Sequence, residues 1–168
     1  GSKVTASSKL YNHDIIITHN TTVIAGVFKN NQLVSNVFSK TINYHKAVKG
    51  KVTINPAPHP SYNTGGNQAL INGIYGSDKR YGDKEWLGFL GDDIEVIIDL
   101  EEIKEINTIK TRFYSANGQW IYAPKKIDLA YSLDGEKYHL LKELEPSSTE
   151  HIVKIKAEFK PLNAKYLK

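Results

Sequence analysis

Short apolar runs of strand length recur along the second half of this chain about 10–14 residues apart, and none carries the 3.6-residue period of a helix. They are residues 94–100, 106–114, 126–132, 138–144 and 151–159, rich in β-branched and aromatic side chains. The last alternates almost strictly, so one of its faces is buried and the other wet. Such spacing predicts an all-β chain built as an antiparallel β-sandwich. Upstream, residues 51–54 read as a short alternating strand. Pro56, Pro58 and Pro60 then forbid ladder pairing, so 55–68 reads as an irregular loop. Residues 72–93 are rich in Gly, Asp and aromatics and read as a long functional loop region.

The first fifty residues form a different region. Residues 15–18, 22–28 and 32–41 read as strands, with Lys29-Asn30-Asn31 turning the last two into a hairpin. A hairpin of that size buries too little to stand alone. The predicted organisation is therefore a partial small β domain at 1–45, of immunoglobulin or fibronectin type, a linker at 46–50 and a sandwich at 51–168. Residues 163–168 read as a strand just beginning, so both ends look cut. Gly1-Ser2 reads as a cloning remnant, and the opening residues lack a basic-then-apolar leader.

Charge and composition remove several function classes. Residues 1–50 carry six Lys against Asp14 alone, whereas the rest carries sixteen basic and seventeen acidic residues, with only two Arg, Arg80 and Arg112. That balance disfavours a nucleic-acid partner. No apolar run reaches the length of a membrane-spanning helix. Cysteine is absent, which excludes disulfides, thiolate metal sites and a cysteine nucleophile. The six His (13, 19, 45, 59, 139 and 151) do not stand at metal-ligand spacings. Asp83/Glu85, Asp92-Asp93 and Glu101-Glu102 read as solvated turn charges. Neither a nucleophile elbow nor a phosphate loop occurs.

A set of motifs in order carries a family resemblance. Ala69-Leu-Ile-Asn72-Gly73, Trp86, Glu95-Val-Ile-Ile-Asp99-Leu100 and Tyr131-Ser132-Leu133-Asp134-Gly135 resemble the coagulation factor 5/8 type C, or discoidin, domain. That family overlaps the family 32 carbohydrate-binding modules. Residues 76–89, Gly-Ser-Asp-Lys-Arg-Tyr-Gly-Asp-Lys-Glu-Trp-Leu-Gly-Phe, look like the discoidin module trailing family 20 β-N-acetylhexosaminidases (chitobiases) of Bacteroides-type gut bacteria. Residues 5–44 resemble the small β domain that often precedes it. The resemblance implies a discoidin, or galactose-binding-like, jelly roll. It also implies an exported parent enzyme: periplasmic, outer-membrane-associated or extracellular. Two departures stand out: Asn72 replaces the family's usual aspartate, and the family's final strands are not seen after Lys168.

Family 20 enzymes work with an adjacent aspartate-glutamate pair. This chain has no Asp-Glu dipeptide, so no catalytic residue is expected in it. Many discoidin modules hold one structural calcium at the Asp-Gly turn. The local ligand candidates here are Asn72, Ser77 and Asp78, although a neutral Asn72 weakens such a site.

A sugar presents an apolar C–H face and an edge of hydroxyls. It is met by an aromatic platform and by Arg, Asp, Asn or Gln on loops at one rim of a rigid scaffold. Two loops supply these types: 75–85 with Asp78, Arg80 and Tyr81, and 114–122 with Asn117, Gln119 and Trp120. These six are the expected carbohydrate-binding residues. Each has a plainer reading. Arg80 pairs with Asp78 or Asp83, Trp120 packs under its loop, and Trp86 is the family's buried tryptophan. The expected function is a non-catalytic carbohydrate-binding module of a glycoside hydrolase. Its partners are then glycans ending in N-acetylhexosamine or galactose-type sugars and the enzyme's own catalytic domain. The alternative is a structural spacer of the same enzyme. Adhesion to a membrane is disfavoured because the rim at 77–84 is polar.

Overall fold

The computed structural model describes residues 3–168. The cloning remnant expected at Gly1-Ser2 lies outside the described residues. The chain divides into two compact units, Gly1–His45 and Lys46–Lys168.

In the first unit, β1 (Thr21–Ala25) pairs with β4 (Phe38–Ile42), and between them β2 (Phe28–Lys29) pairs with β3 (Gln32–Leu33). The expected hairpin is present. Its two turn residues, Asn30 and Asn31, both have positive φ (49° and 63°), as a two-residue turn matched to strand twist requires and asparagine tolerates. The two long runs expected here are each interrupted, however. The Ser35 hydroxyl accepts a hydrogen bond from the Val27 N–H at 2.9 Å, so a side chain takes the place of a ladder partner. Residues 15–18 are not a strand; β propensity alone does not form one where the ladder hydrogen bonds find no partner. None of the described residues of this unit is buried.

The second unit is a five-stranded antiparallel sheet. Its strands are β5 (Lys51–Asn55), β6 (Glu95–Tyr114), β7 (Ile127–Ser132), β8 (His139–Leu144) and β9 (Ile152–Leu167), in the order β5-β6-β9-β7-β8. The strands expected at 94–100 and 106–114 are one continuous strand. Two irregularities bend it against β9. Residues 100–103 of β6 face only Lys165 between the pairs Asp99↔Tyr166 and Lys104↔Ala164. Residues 159–161 of β9 then face only Asn107. Glu101 takes φ 68° at the first bulge, where Asp99 Oδ1 accepts its N–H at 2.8 Å. Pro161, which has no N–H to give a ladder, sits in the second. Residues 163–168 do not begin a new strand. They end β9 in the middle of the sheet, where Leu167 pairs with both Ile98 and Tyr131.

The core lies where these strands bend. Leu100, Ile106 and Ala164 are buried at its centre, with Ile98, Tyr131, Phe159, Leu162 and Leu167 packed around them. The architecture is thus all-β and antiparallel, as expected.

The Ser132–Gly135 turn after β7 is a self-contained cap. The buried Ser132 hydroxyl donates to Asp134 Oδ1 at 2.8 Å and accepts from the Gly135 N–H at 2.9 Å. Asp134 Oδ1 also accepts the N–H groups of Glu136 and Lys137, each at 2.9 Å. Gly135 takes φ 83°, and a Cβ there would stand 3.2 Å from the Tyr166 ring. The backbone N–H groups of Lys137 and Glu136, then the Ser132 hydroxyl, lower the Asp134 pKa from 3.8 to about 2. A depressed carboxyl stabilises the fold above its unfolded value and loses that contribution as pH falls through its folded value. We therefore expect Asp134→Asn to lower the melting temperature at pH 6, and its gap from the parent protein to close between pH 4 and pH 2. A gap that stays constant down to pH 2 would contradict this role.

Candidate functional site

The loop from Asn72 to Trp86 folds onto the last residues of β6, and Arg112 is what holds it there. This arginine stands two residues before the end of β6, and its side chain is 13% exposed. It ion-pairs with Asp78 and donates through Nη1 to the Gly76 carbonyl at 3.3 Å. Its guanidinium carbon lies 4.7 Å from the Tyr75 ring centre and 5.5 Å from that of Trp86, so two ring faces flank the cation. Trp86 in turn donates its indole N–H to the Ser77 carbonyl at 3.1 Å and meets Tyr114 edge-on at 5.6 Å. Trp86 is half-buried; it closes this cation–aromatic stack and does not belong to the buried centre around Leu100. Gly76 is needed where it stands, since a Cβ would lie 2.4 Å from the Trp86 indole nitrogen.

The expected sugar-binding residues fall into two groups. Asp78 is committed to Arg112, and Arg80, largely exposed, turns its Nε to Asp83, whose other oxygen accepts the Ser77 N–H at 2.9 Å. The plainer pairing with Asp83 is therefore present, while the exposed guanidinium stays within reach of a ligand. Tyr81 packs edge-on against Tyr114 at 5.7 Å. Because Tyr114 ends β6, this contact brings loop 75–85 to the point where loop 114–122 leaves the strand.

The second group stands free on that departing loop. Ala116 and Ile121 pair across its base, and Asn117–Gln119 make one 3₁₀ turn. Trp120 follows in a left-handed conformation, φ 61°, its N–H donating to the Asn117 carbonyl at 3.1 Å. Trp120 as a whole is 84% exposed, so it does not pack under the loop. A bulky side chain at positive φ is uncommon and costs backbone energy, the kind of strain that collects at ligand clamps. Asn117 and Gln119 are exposed beside it.

Arg112 was absent from the expected set. The available signal was its scarcity, one of two arginines in the chain, but nothing local marks a strand arginine as the anchor of a loop more than twenty residues upstream.

The three side chains expected to ligate calcium are each engaged in other contacts. Asn72 Oδ1 accepts the Ile74 N–H at 2.8 Å, the Ser77 hydroxyl accepts the Lys79 N–H at 3.1 Å, and Asp78 faces the Arg112 cation. No group of three or more His, Asp or Glu is poised for a metal among the described residues. We expect excess calcium and a chelator to give the same melting temperature within 1 °C or so, about a third of a kcal/mol for a domain of this size. A calcium-dependent rise of several degrees would restore the ion.

Comparison with known proteins gives three findings. No curated protein matches the chain. Among solved structures, one described as CpGH89CBM32-5 from Clostridium perfringens, in complex with GalNAc-β-1,3-galactose, is similar at 17% identity with a TM-score of 0.46, covering 73% of this chain and 83% of that one. The model of the F5/8 type C domain matches residues 56–168, most of the sequence, and the chain therefore belongs to that family.

Proposed function

We propose that this chain is a non-catalytic carbohydrate-binding module whose sugar rests on Trp120. The observation that carries the reading is the Trp120 indole. It is almost wholly exposed, yet held on a short turn by the Ala116–Ile121 pairing and beside two amide side chains. A rigid aromatic face with few internal degrees of freedom loses little entropy on binding. Asn117, Gln119 and, from the neighbouring loop, Arg80 supply donors and acceptors for ring hydroxyls. Arg80 suits two adjacent hydroxyls because its guanidinium is a planar fork.

The module serves an exported glycoside hydrolase, and the motif at residues 76–89 supports a family 20 β-N-acetylhexosaminidase as the parent. Its ligands are then glycans ending in N-acetylhexosamine or galactose. Tethering raises the enzyme's local concentration on such glycans without new chemistry. Hydrolysis belongs to the attached catalytic domain. A spacer without a sugar site is the second reading, favoured by the Asp78–Arg112 and Arg80–Asp83 pairs that already occupy the charges of loop 75–85.

The test is an NMR titration with N-acetylglucosamine, N-acetylgalactosamine, galactose and chitobiose on the parent protein and on Trp120→Ala. Loss of a stacked ring is expected to weaken binding about 10- to 100-fold, by analogy with aromatic stacking worth about 1–3 kcal/mol. The melting temperature should not fall, because the side chain contacts mainly water. Binding unchanged by the substitution, or shifts centred on 101–105 and 134–135, would place the sugar elsewhere. No binding to any of the panel would favour the spacer.

A further inference from the structure

Beside the 75–86 loop, the exposed face of the sheet carries a concentration of positive charge that the sugar rim does not use. Lys110 and Arg112 lie two residues apart on β6 and so share a face, and the register sets them directly opposite Lys156 and Lys154 on β9. The four cations span about 7 Å along the strands and about 5 Å across them. Like charges placed directly opposite destabilise a ladder, so this face works against the fold unless something negative meets it.

The chain supplies only part of that negative charge. Arg112 has Asp78, and Lys156 has Glu158 at 2.5 Å. Among the described residues, neither Lys110 nor Lys154 has a carboxylate within ion-pair distance. The Glu158 carboxyl is held below its usual range first by the Lys156 hydrogen bond and charge, then by the charges of Lys110 and Lys142, as expected where cations are in excess. With Tyr75 and Asp78, the four cations line a shallow groove of about 430 Å³, within the size range of small-ligand sites. Tyr75 has Arg112 over one ring face and remains half exposed.

We propose that this groove binds an acidic oligosaccharide, its carboxylate or sulfate groups held by Lys110 and Lys154 and a sugar ring lying along Tyr75. The excess of charge is local. From Lys46 onward the chain has eighteen basic residues (the sixteen after residue 50 plus Lys46 and Lys49) against seventeen acidic ones. A nearly neutral unit lacks the broad basic footprint of a nucleic-acid binder, and a short groove with one aromatic wall suits a few sugar rings. The site uses residues distinct from Trp120, so it stands or falls apart from the neutral-sugar rim.

Calorimetric titration with hyaluronan and chondroitin sulfate hexasaccharides, the first carrying carboxylates alone and the second sulfates as well, tests the proposal. It is run at 20 mM and 150 mM salt on the parent protein and on the double variant Lys110→Gln/Lys154→Gln. At least one hexasaccharide should bind, more weakly at the higher salt as exposed charges are screened. The double variant should lose tenfold or more in affinity. The double variant should melt no lower than the parent, since it relieves like-charge pairs, so lost binding cannot be ascribed to unfolding. The proposal is overturned if neither hexasaccharide binds, if the double variant binds as tightly as the parent, or if a single-stranded oligonucleotide of equal charge binds through the same lysines as tightly as the better saccharide.

Discussion

Arg112→Ala is expected to release the 75–86 loop from the sheet and to cost the second unit about 2–3 kcal/mol. Three contacts disappear together: the Nη1 bond to the Gly76 carbonyl, the ion pair with Asp78, and the stacking against Tyr75 and Trp86. A hydrogen bond from a charged group contributes about 1.5–3 kcal/mol. The ion pair adds little beyond it, because the Asp78 side chain is 62% exposed and solvent screens the charge. A cation between two rings adds about 0.5–2 kcal/mol. Arg112 Nε is buried without a hydrogen-bond partner, a cost that truncation removes and that trims the total. Arg112→Lys should recover only part of the loss, since an ammonium presents neither the fork nor the flat face. Urea unfolding measures the stability, and amide exchange across residues 75–86 measures the loop. A loss under about 0.5 kcal/mol with unchanged exchange would show that the loop is held by other contacts, Trp86 foremost. Because Arg80 and Tyr81 ride on this loop, sugar affinity should fall with it, although neither variant touches Trp120.

Leu100→Ala should produce the larger stability loss. Leu100 is 1% exposed at the centre of the core, and Leu→Ala at such sites costs about 2–5 kcal/mol through lost burial and the cavity left behind. A domain of this size holds about 5–15 kcal/mol in all, so the melting temperature should drop by about 10 °C or more. Ile103, three residues on and 59% exposed, is the control. Ile103→Ala should shift the melting temperature by no more than a degree or two, for the same bulge carries it outward. Equal losses at the two positions would mean that the core does not lie where β6 bends.

Local chemistry was legible wherever neighbouring residues decide the outcome. Asn30-Asn31 declares a two-residue turn because asparagine accepts positive φ. Ser132-Leu133-Asp134-Gly135 closes on itself through hydrogen bonds spanning two or three residues. The alternation in 151–159 gave the buried and wet faces of β9. The order of motifs from Ala69 to Gly135 carried the family.

What depends on distant partners was not legible. The runs at 94–100 and 106–114 look like two strands because the bulge between them breaks the alternation; only pairing with β9 makes them one. Residues 15–18 have strand composition but no strand to pair with. Arg112 and Asp78 are thirty-four residues apart, and nothing along the chain couples them. Whether Trp120 faced solvent or its own loop depended on a left-handed backbone that neighbouring residues do not dictate.

The amino-acid sequence by itself determined an antiparallel β chain, its turns, its family and the kinds of side chain its loops present, because period, turn residues and motif order act over a few positions. Tertiary structure alone decided which charges meet: Asp78 with Arg112, Arg80 with Asp83, and Lys110 and Arg112 of β6 set against Lys156 and Lys154 of β9. Register is the physical reason. Cross-strand neighbours are chosen by how two segments far apart in sequence slide past one another, and one residue of slip would turn one strand's cations away from the other's.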